Sequence, residues 1–262
     1  MRTVSHPAPF GLSMPRVWFA DRPTVLRGLS LATYRGGPDA GPVFGFLHQP
    51  GHTLLIDISM SEEDIFKRFS KSTAGNIRRG LKDGIQTRFR DDAAAFEEFA
   101  TFYAAFAGRK GLDHERRGHL LAYRGHGMIG QALFEGKVLT QMLLLVDKDA
   151  GRVRVHRAGS LGSDIPAERR TVGRANRLLH YAAMVHFHRL GFPVFDMGGY
   201  ALNTTDEALS HINRFKSGFG GTVCPEATYR SYPVAAIQWL RRASRPTRAA
   251  RPLVPKAEES PS

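Results

Sequence analysis

The sequence predicts an α/β protein of the α+β kind, a mainly antiparallel sheet flanked by helices. Three observations carry this reading. From residue 91, "DDAAAFEEFATFYAAFAGRKG" repeats Phe96, Phe99, Phe102, Tyr103 and Phe106 at three- and four-residue spacing, the period of an amphipathic helix with an aromatic core face. Residues 128–160 change period, and "MIGQALFEG", "KVLTQMLLLVDKDAG" and "RVRVHRAGS" read as an antiparallel meander whose last turn is Asp149 to Gly151. Then "TVGRANRLLHYAAMVHFHRLG" forms a helix of about five turns, and the strand "FPVFDMGG", the helix "EALSHINRFKSGFGG" and the strand "TVCPEATYRSY" follow it.

The remaining elements follow in chain order. Residues 1–16 are broken by prolines and read as irregular. "RVWFA" and "VLRGLSLATY" are strand candidates, and "RGGPDAGP" (35–42) is a turn. "VFGFLH" and "HTLLIDIS" read as two further short strands. Ser61 heads "SEEDIFKRF" as a helix N-cap with acids in the first turn. In "SKSTAGNIRRGLKDG", Ile77 and Leu81 share a helical face among Lys71, Arg78, Arg79 and Lys82, and Gly84 stops the helix. "IQTRFR" alternates like a strand. "LGSDIPAERR", after the meander, is expected to be a loop of about ten residues, so that the long helix starts near Thr171 beside the end of the meander. A helix start there is a ready anion site. The last helix, "VAAIQWLRR", is expected to pack Ile237, Trp239 and Leu240 on the core, with contact to an anionic membrane as the alternative. The Pro-, Ser- and charge-rich residues 241–262 read as a disordered basic tail.

Composition narrows the function classes. The chain has 262 residues, 42% of them apolar, with 17 Phe, which suits a packed core. There are 37 Lys and Arg against 24 Asp and Glu, a formal charge of +13. That surplus draws phosphorylated cofactors, nucleic acid or an acidic membrane surface. Cys224 is the sole cysteine, so no intramolecular disulfide can form. Neither a signal-peptide run nor about 18 consecutive apolar residues occurs, and a cytoplasmic protein without a transmembrane segment is expected. His186 and His188, two apart, fall on different sides of a helix, and no metal is expected. The acidic pairs Asp91–Asp92 and Glu97–Glu98 sit at a helix start and give no support to glycosidase chemistry.

Three stretches carry candidate chemistry. In "RRTVGRAN", Arg170-x-x-Gly173-x-Ala175 opens a helix. Gly173 and Ala175 would let backbone N–H groups approach a phosphate, while Arg169, Arg170 and Arg174 add charge and Asn176 closes the run; an ordinary basic first turn is the alternative. In "FDMGGY", Asp196 ends an apolar strand before Gly198, Gly199 and Tyr200, where backbone can touch a ligand or the aspartate can simply cap a turn. In "RFKSGFGG", Lys216 lies between Phe215 and Phe219 at a glycine-rich helix end, which also suits a plain helix C-terminus.

Together these stretches resemble the C-terminal half of the FemABX-like family and its BioF2-like relatives with a GNAT-type acyltransferase fold. "ANRLLHYAAM" is similar to the family's run before its long helix, "FDMGG" to its strand ending in Asp-x-Gly-Gly, and "FKSGFGG" to its aromatic-lysine element. "STAGNIRRGLKDGIQTRF" resembles its basic helix and strand, and "HRAGS" precedes the same loop. The resemblance covers roughly residues 53–232. It implies a GNAT-like sheet, a shortened N-terminal GNAT-like portion with the basic helix at 1–90 and an acyltransferase domain at 91–240. It also implies amide-bond formation in cell-envelope biogenesis. Some members transfer an aminoacyl group from charged tRNA to a peptidoglycan precursor; others are associated with acyl-CoA. The tRNA-using members carry two complete domains and in several cases a coiled-coil arm, which this sequence lacks, and the Arg170-x-x-Gly173-x-Ala175 element favours acyl-CoA as donor, with aminoacyl-tRNA as the alternative. By the resemblance, Phe215 and Lys216 lie at the reaction centre, Lys216 stabilising negative charge on the acyl carbonyl or donor phosphate. Asp196 joins them by position as a candidate base. Arg169, Arg170, Gly173, Arg174, Ala175 and Asn176 would hold the donor. The acceptor, a small molecule such as an amino sugar or an envelope precursor, would meet Arg78, Arg79, His156, Arg157, Gly198, Gly199 and Tyr200, with His156 a second base candidate. The competing classes are a basic nucleic-acid-binding module and an acyltransferase fold kept as a scaffold.

Overall fold

A computed structural model describes residues 1–8, 13–112 and 115–243. Ten strands form one sheet: β1 (Arg2–Pro7), β2 (Ser13–Trp18), β3 (Thr33–Gly37), β4 (Phe46–Asp57), β5 (Gln86–Arg90), β6 (Gly127–Phe134), β7 (Lys137–Asp147), β8 (Arg152–Ser160), β9 (Val194–Gly199) and β10 (Thr222–Ser231). Their spatial order is β1-β2-β3-β10-β4-β9-β8-β7-β6-β5. Most neighbours are antiparallel, and the parallel pairs are β2–β3 and β8–β9. The expected meander is β6–β8, its first turn made by Glu135 and Gly136, both at positive φ as a tight hairpin requires. The boundary expected at residue 90 does not divide the sheet, because β4 lies between β9 and β10.

The helices are α1 (Glu62–Lys67), α2 (Lys71–Lys82), α3 (Ala93–Lys110), α4 (Arg117–Leu121), α5 (Pro166–Arg189), α6 (Glu207–Ser217) and α7 (Tyr232–Ala243). Of three apolar clusters, the two largest lie on opposite faces of the sheet. On one, Leu54, Ile56, Val153 and Phe195 meet Ile77 of α2 and Leu178, Leu179 and Phe187 of α5. On the other, Ile129, Leu143 and Leu145 meet Phe96, Phe99 and Tyr103 of α3, so the aromatic stripe is core. Ser61, Ser70, Asp92 and Asp206 cap their helices by accepting from an amide three residues on. Ser70 also anchors α2 to the end of α6, its amide donating to the Gly218 carbonyl at 2.9 Å. Ser70→Ala is expected to cost about 1 kcal/mol by loss of the cap, read as a lower urea midpoint with an unchanged slope.

Five expectations are corrected. Residues 1–16, read as irregular, contain β1 and the start of β2, which pair antiparallel with each other. "VLRGLSLATY" holds a 3-10 turn, Val25–Leu29, before β3, because Gly28 packs on Gly45 and a Cβ there would lie 2.8 Å from the Gly45 Cα. The two strands read around Pro50 and Gly51 are one strand, β4. The long helix begins at Pro166, five residues before Thr171, consuming half of the expected loop. Trp239 and Leu240 of α7 are exposed at 68% and 58% rather than packed on the core. The expected tail lies beyond Ala243 outside the described residues.

Candidate active site

The last turn of α6 delivers Phe215 and Lys216 to the end of β9. The Lys216 Nζ donates to the Gly199 carbonyl at 2.5 Å. Gly198 makes this possible: its φ is +75°, and a Cβ there would sit 3.1 Å from the Val155 carbonyl oxygen. Burial, with the Arg154 charge beside it, lowers the Lys216 pKa to about 8, while Asp196 and Glu226 oppose the drop. Phe215 meets His180 and Phe219 edge-on, at 5.1 and 5.4 Å between ring centres. The guanidinium carbon of Arg177 stands 5.4 Å from the Phe215 ring centre. His180 Nδ1 donates to the Asn176 carbonyl at 2.8 Å, and burial first of all holds this imidazole neutral, with its pKa near 4.

Arg177 leads into a basic cleft of about 600 Å³ between α2 and α5, walled by Arg79, Arg169, Arg170, Arg174 and Arg177 with Asn76. Arg174 is paired with Asp83 at 2.6 Å, whereas Arg79, Arg169 and Arg170 have no acidic partner among the described residues. The expected backbone nest is absent. With α5 starting at Pro166, residues 173–176 lie two turns inside the helix, where their N–H groups are taken up by helical bonding. Ala175 is fully buried in the core. Gly173 does line the cleft, but the anion-binding capacity comes from guanidinium groups. The expected Arg78–Arg79 pair is split, since adjacent helical residues diverge. Arg79 enters the cleft, and Arg78 stacks over Phe66 at 5.0 Å.

Across the Lys216–Gly199 contact lies a second groove of about 360 Å³. Gly199 and Tyr200 line it, with His52 of β4, Ile212 of α6 and Glu226 of β10. Tyr200 is held by its amide on the His52 carbonyl, 2.7 Å, and by its hydroxyl against Ser217, 3.1 Å.

Asp196 does not suit the role of a base. It is completely buried, and it accepts from Arg152 at 2.6 Å, Arg154 at 2.9 Å, the Gly198 amide at 2.8 Å and the Thr53 hydroxyl. Burial alone would raise its pKa, but Arg154 and Arg152 hold it below the usual carboxylate value. Arg154 in turn forks onto Glu226 at 2.6 and 2.9 Å. His156 and Arg157 are also displaced from the expected site. A bulge in β8 turns both toward Glu115, with Arg157 at 2.8 Å and His156 at 3.7 Å. His156 is packed between Trp18 and Tyr123, and burial lowers its pKa to about 3. Arg177, His180, Arg154 and Glu226 were not singled out from the sequence. The alternation of Arg152 and Arg154 in "RVRVHR" was the available sign that β8 sends arginines to one face.

Regular pairing of the parallel strands ends at Arg154–Asp196, although β8 continues to Ser160 and β9 to Gly199. This opening, with Lys216 at its edge, lies in a fold similar to that of FemX. FemX matches with a TM-score of 0.61 at 12% identity, over 91% of this chain and 85% of FemX. L-PGS from Bacillus licheniformis matches with a TM-score of 0.51 at 16% identity, over 82% of this chain and 73% of its own. The FemX match necessarily includes most of residues 1–90. No family model and no curated protein matches the chain.

Proposed function

We propose that the protein is an N-acyltransferase that passes an acyl group from acyl-CoA to an amine of an amino sugar or cell-envelope precursor. The observation that carries this is the dipeptide Phe215–Lys216, which contacts one lining residue of each of two clefts. Phe215 touches Arg177 of the basic cleft, and Lys216 bonds to Gly199 of the neighbouring groove. Arg79, Arg169 and Arg170 hold the donor phosphates through charge-assisted hydrogen bonds. The acceptor occupies the groove by Tyr200 and His52. Lys216, turning from the Gly199 carbonyl, places its ammonium where the carbonyl oxygen gains negative charge as the amine attacks; the carbon–sulfur bond then breaks, and CoA leaves as a thiolate that takes up the proton lost by the amine. Phe215 and His180 keep water from one side of that charge, which strengthens its field. The likeness to FemX and L-PGS supports this class of chemistry.

A second reading, aminoacyl-tRNA as donor, is favoured by the breadth of the FemX match and by the five arginines of an open cleft. Calorimetry with acetyl-CoA, beside filter binding of charged and uncharged tRNA, separates the two. Saturable acetyl-CoA binding is expected, weakened roughly tenfold or more in Arg170→Ala, since a hydrogen bond to a charged group contributes about 1.5–3 kcal/mol. Failure to bind acetyl-CoA with preference for charged tRNA would establish the second reading. Equal, salt-sensitive binding of both tRNA forms would leave a nucleic-acid module.

A further inference from the structure

The 3-10 turn Val25–Leu29, the Phe44–Gly45 bend and α7 form one apolar face. Gly28 lies against Gly45, the Tyr232 amide donates to the Gly45 carbonyl at 3.0 Å, and the Phe44 and Tyr232 rings meet edge-on. From this frame Leu26, Leu29 and Phe44 project with 91%, 87% and 78% of their surfaces in water. Tyr232, Ala236, Trp239 and Leu240 are all exposed, and their spacing of four, three and one makes a single stripe along α7. Its opposite side packs inward through Val234, which is fully buried. Isolated apolar side chains are normal on a protein surface, but a contiguous set on three elements marks an interaction site.

We infer that this face docks on an anionic lipid bilayer. Side chains that stand out this far fit a fluid apolar phase, which needs no matching pocket. Tyr and Trp, apolar with a polar edge, favour the membrane–water boundary. Charge selects the same occupant. Arg27 lies within the turn, Arg241 and Arg242 follow Leu240, and the sequence beyond α7 adds Arg245, Arg248, Arg251 and Lys256 against Glu258 and Glu259. Basic residues beside an apolar helical face are attracted to acidic headgroups. A second copy would bring the same positive charge to the contact. This inference stands apart from the proposed acyl transfer.

The test uses the full chain with vesicles of equal parts phosphatidylglycerol and phosphatidylcholine, and with phosphatidylcholine alone. Of the two tryptophans, Trp18 is buried, so a change in emission reports Trp239. The expected result is co-sedimentation with the anionic vesicles, a blue-shifted emission, and binding roughly tenfold weaker to neutral vesicles. Leu26→Glu/Leu29→Glu, and separately Leu240→Glu on α7, are expected to weaken binding by roughly tenfold or more while melting normally. Absence of sedimentation, an unshifted emission, or undiminished binding by both variants would overturn the inference. So would a concentration-dependent dimer that these substitutions abolish, which would make the face an interface between copies.

Discussion

Asp196→Ala is expected to destabilise the fold by about 3–5 kcal/mol, the cost of removing one partner from a buried ion pair. The carboxylate has no exposure and pairs with two guanidinium groups, sharing their neutralisation with Glu226. Without it, Arg152 retains the Gly36 carbonyl and Arg154 retains Glu226, but one positive charge is left uncompensated. Asp196→Asn keeps the shape and still loses that charge, so most of the penalty remains. The pH dependence has a definite sign. The folded carboxyl titrates below its unfolded value of about 3.9, so its contribution is present above that pH and is lost as pH falls through the lower folded value. The gap in urea stability between wild type and Asp196→Asn should therefore be widest at neutral pH and close in acid. An equal gap at pH 7 and pH 2, or no gap at pH 7, would remove Asp196 from this role.

The sheet's local elements were readable because their periods are strong. Phe96, Phe99 and Tyr103 recur as a helix buries them, and Asp149 to Gly151 close the meander's last turn, with Gly151 at positive φ. Misread elements had the right polarity and the wrong context. Val25, Leu26 and Leu29 look like strand residues, yet all three are exposed, and exposure is set by packing rather than propensity. The start of α5 did carry a signal: Pro166 is a preferred first helical residue, followed by Glu168 in the first turn. Reading that signal moves Gly173 and Ala175 away from the helix end and removes the phosphate nest. In the candidate site, Phe215 and Lys216 were visible as a motif, but their partners were not. Gly199 is 17 residues from Lys216, and Arg154 is 72 from Glu226. Such pairs depend on sheet order and register, which no local pattern contains. The same limit made Asp196 look like a reactive strand-end carboxylate, since its arginine partners lie on the adjacent β8.

Lys216→Met is expected to lower the rate of acyl transfer by about 10²–10³, the usual effect of deleting a group that stabilises a developing oxyanion. Donor affinity should hold within roughly threefold, because the arginine cleft is intact and a group used only in the transition state affects kcat rather than binding. The assay is thiol release from acetyl-CoA with a surrogate amine, beside calorimetry of acetyl-CoA. The ammonium form is the active one, so kcat should fall as pH rises through about 8, where an unperturbed lysine would hold to about 10.4. A second readout does not depend on turnover. The folded lysine releases its proton at lower pH than the unfolded one, so between about 8 and 10.4 the unfolded state binds more protons and stability rises with pH. Subtracting the Lys216→Met melting curve from wild type should isolate that rise. A rise without a loss of kcat would make Lys216 a half-buried structural amine. A loss of kcat together with the rise would place the perturbed ammonium in the chemistry.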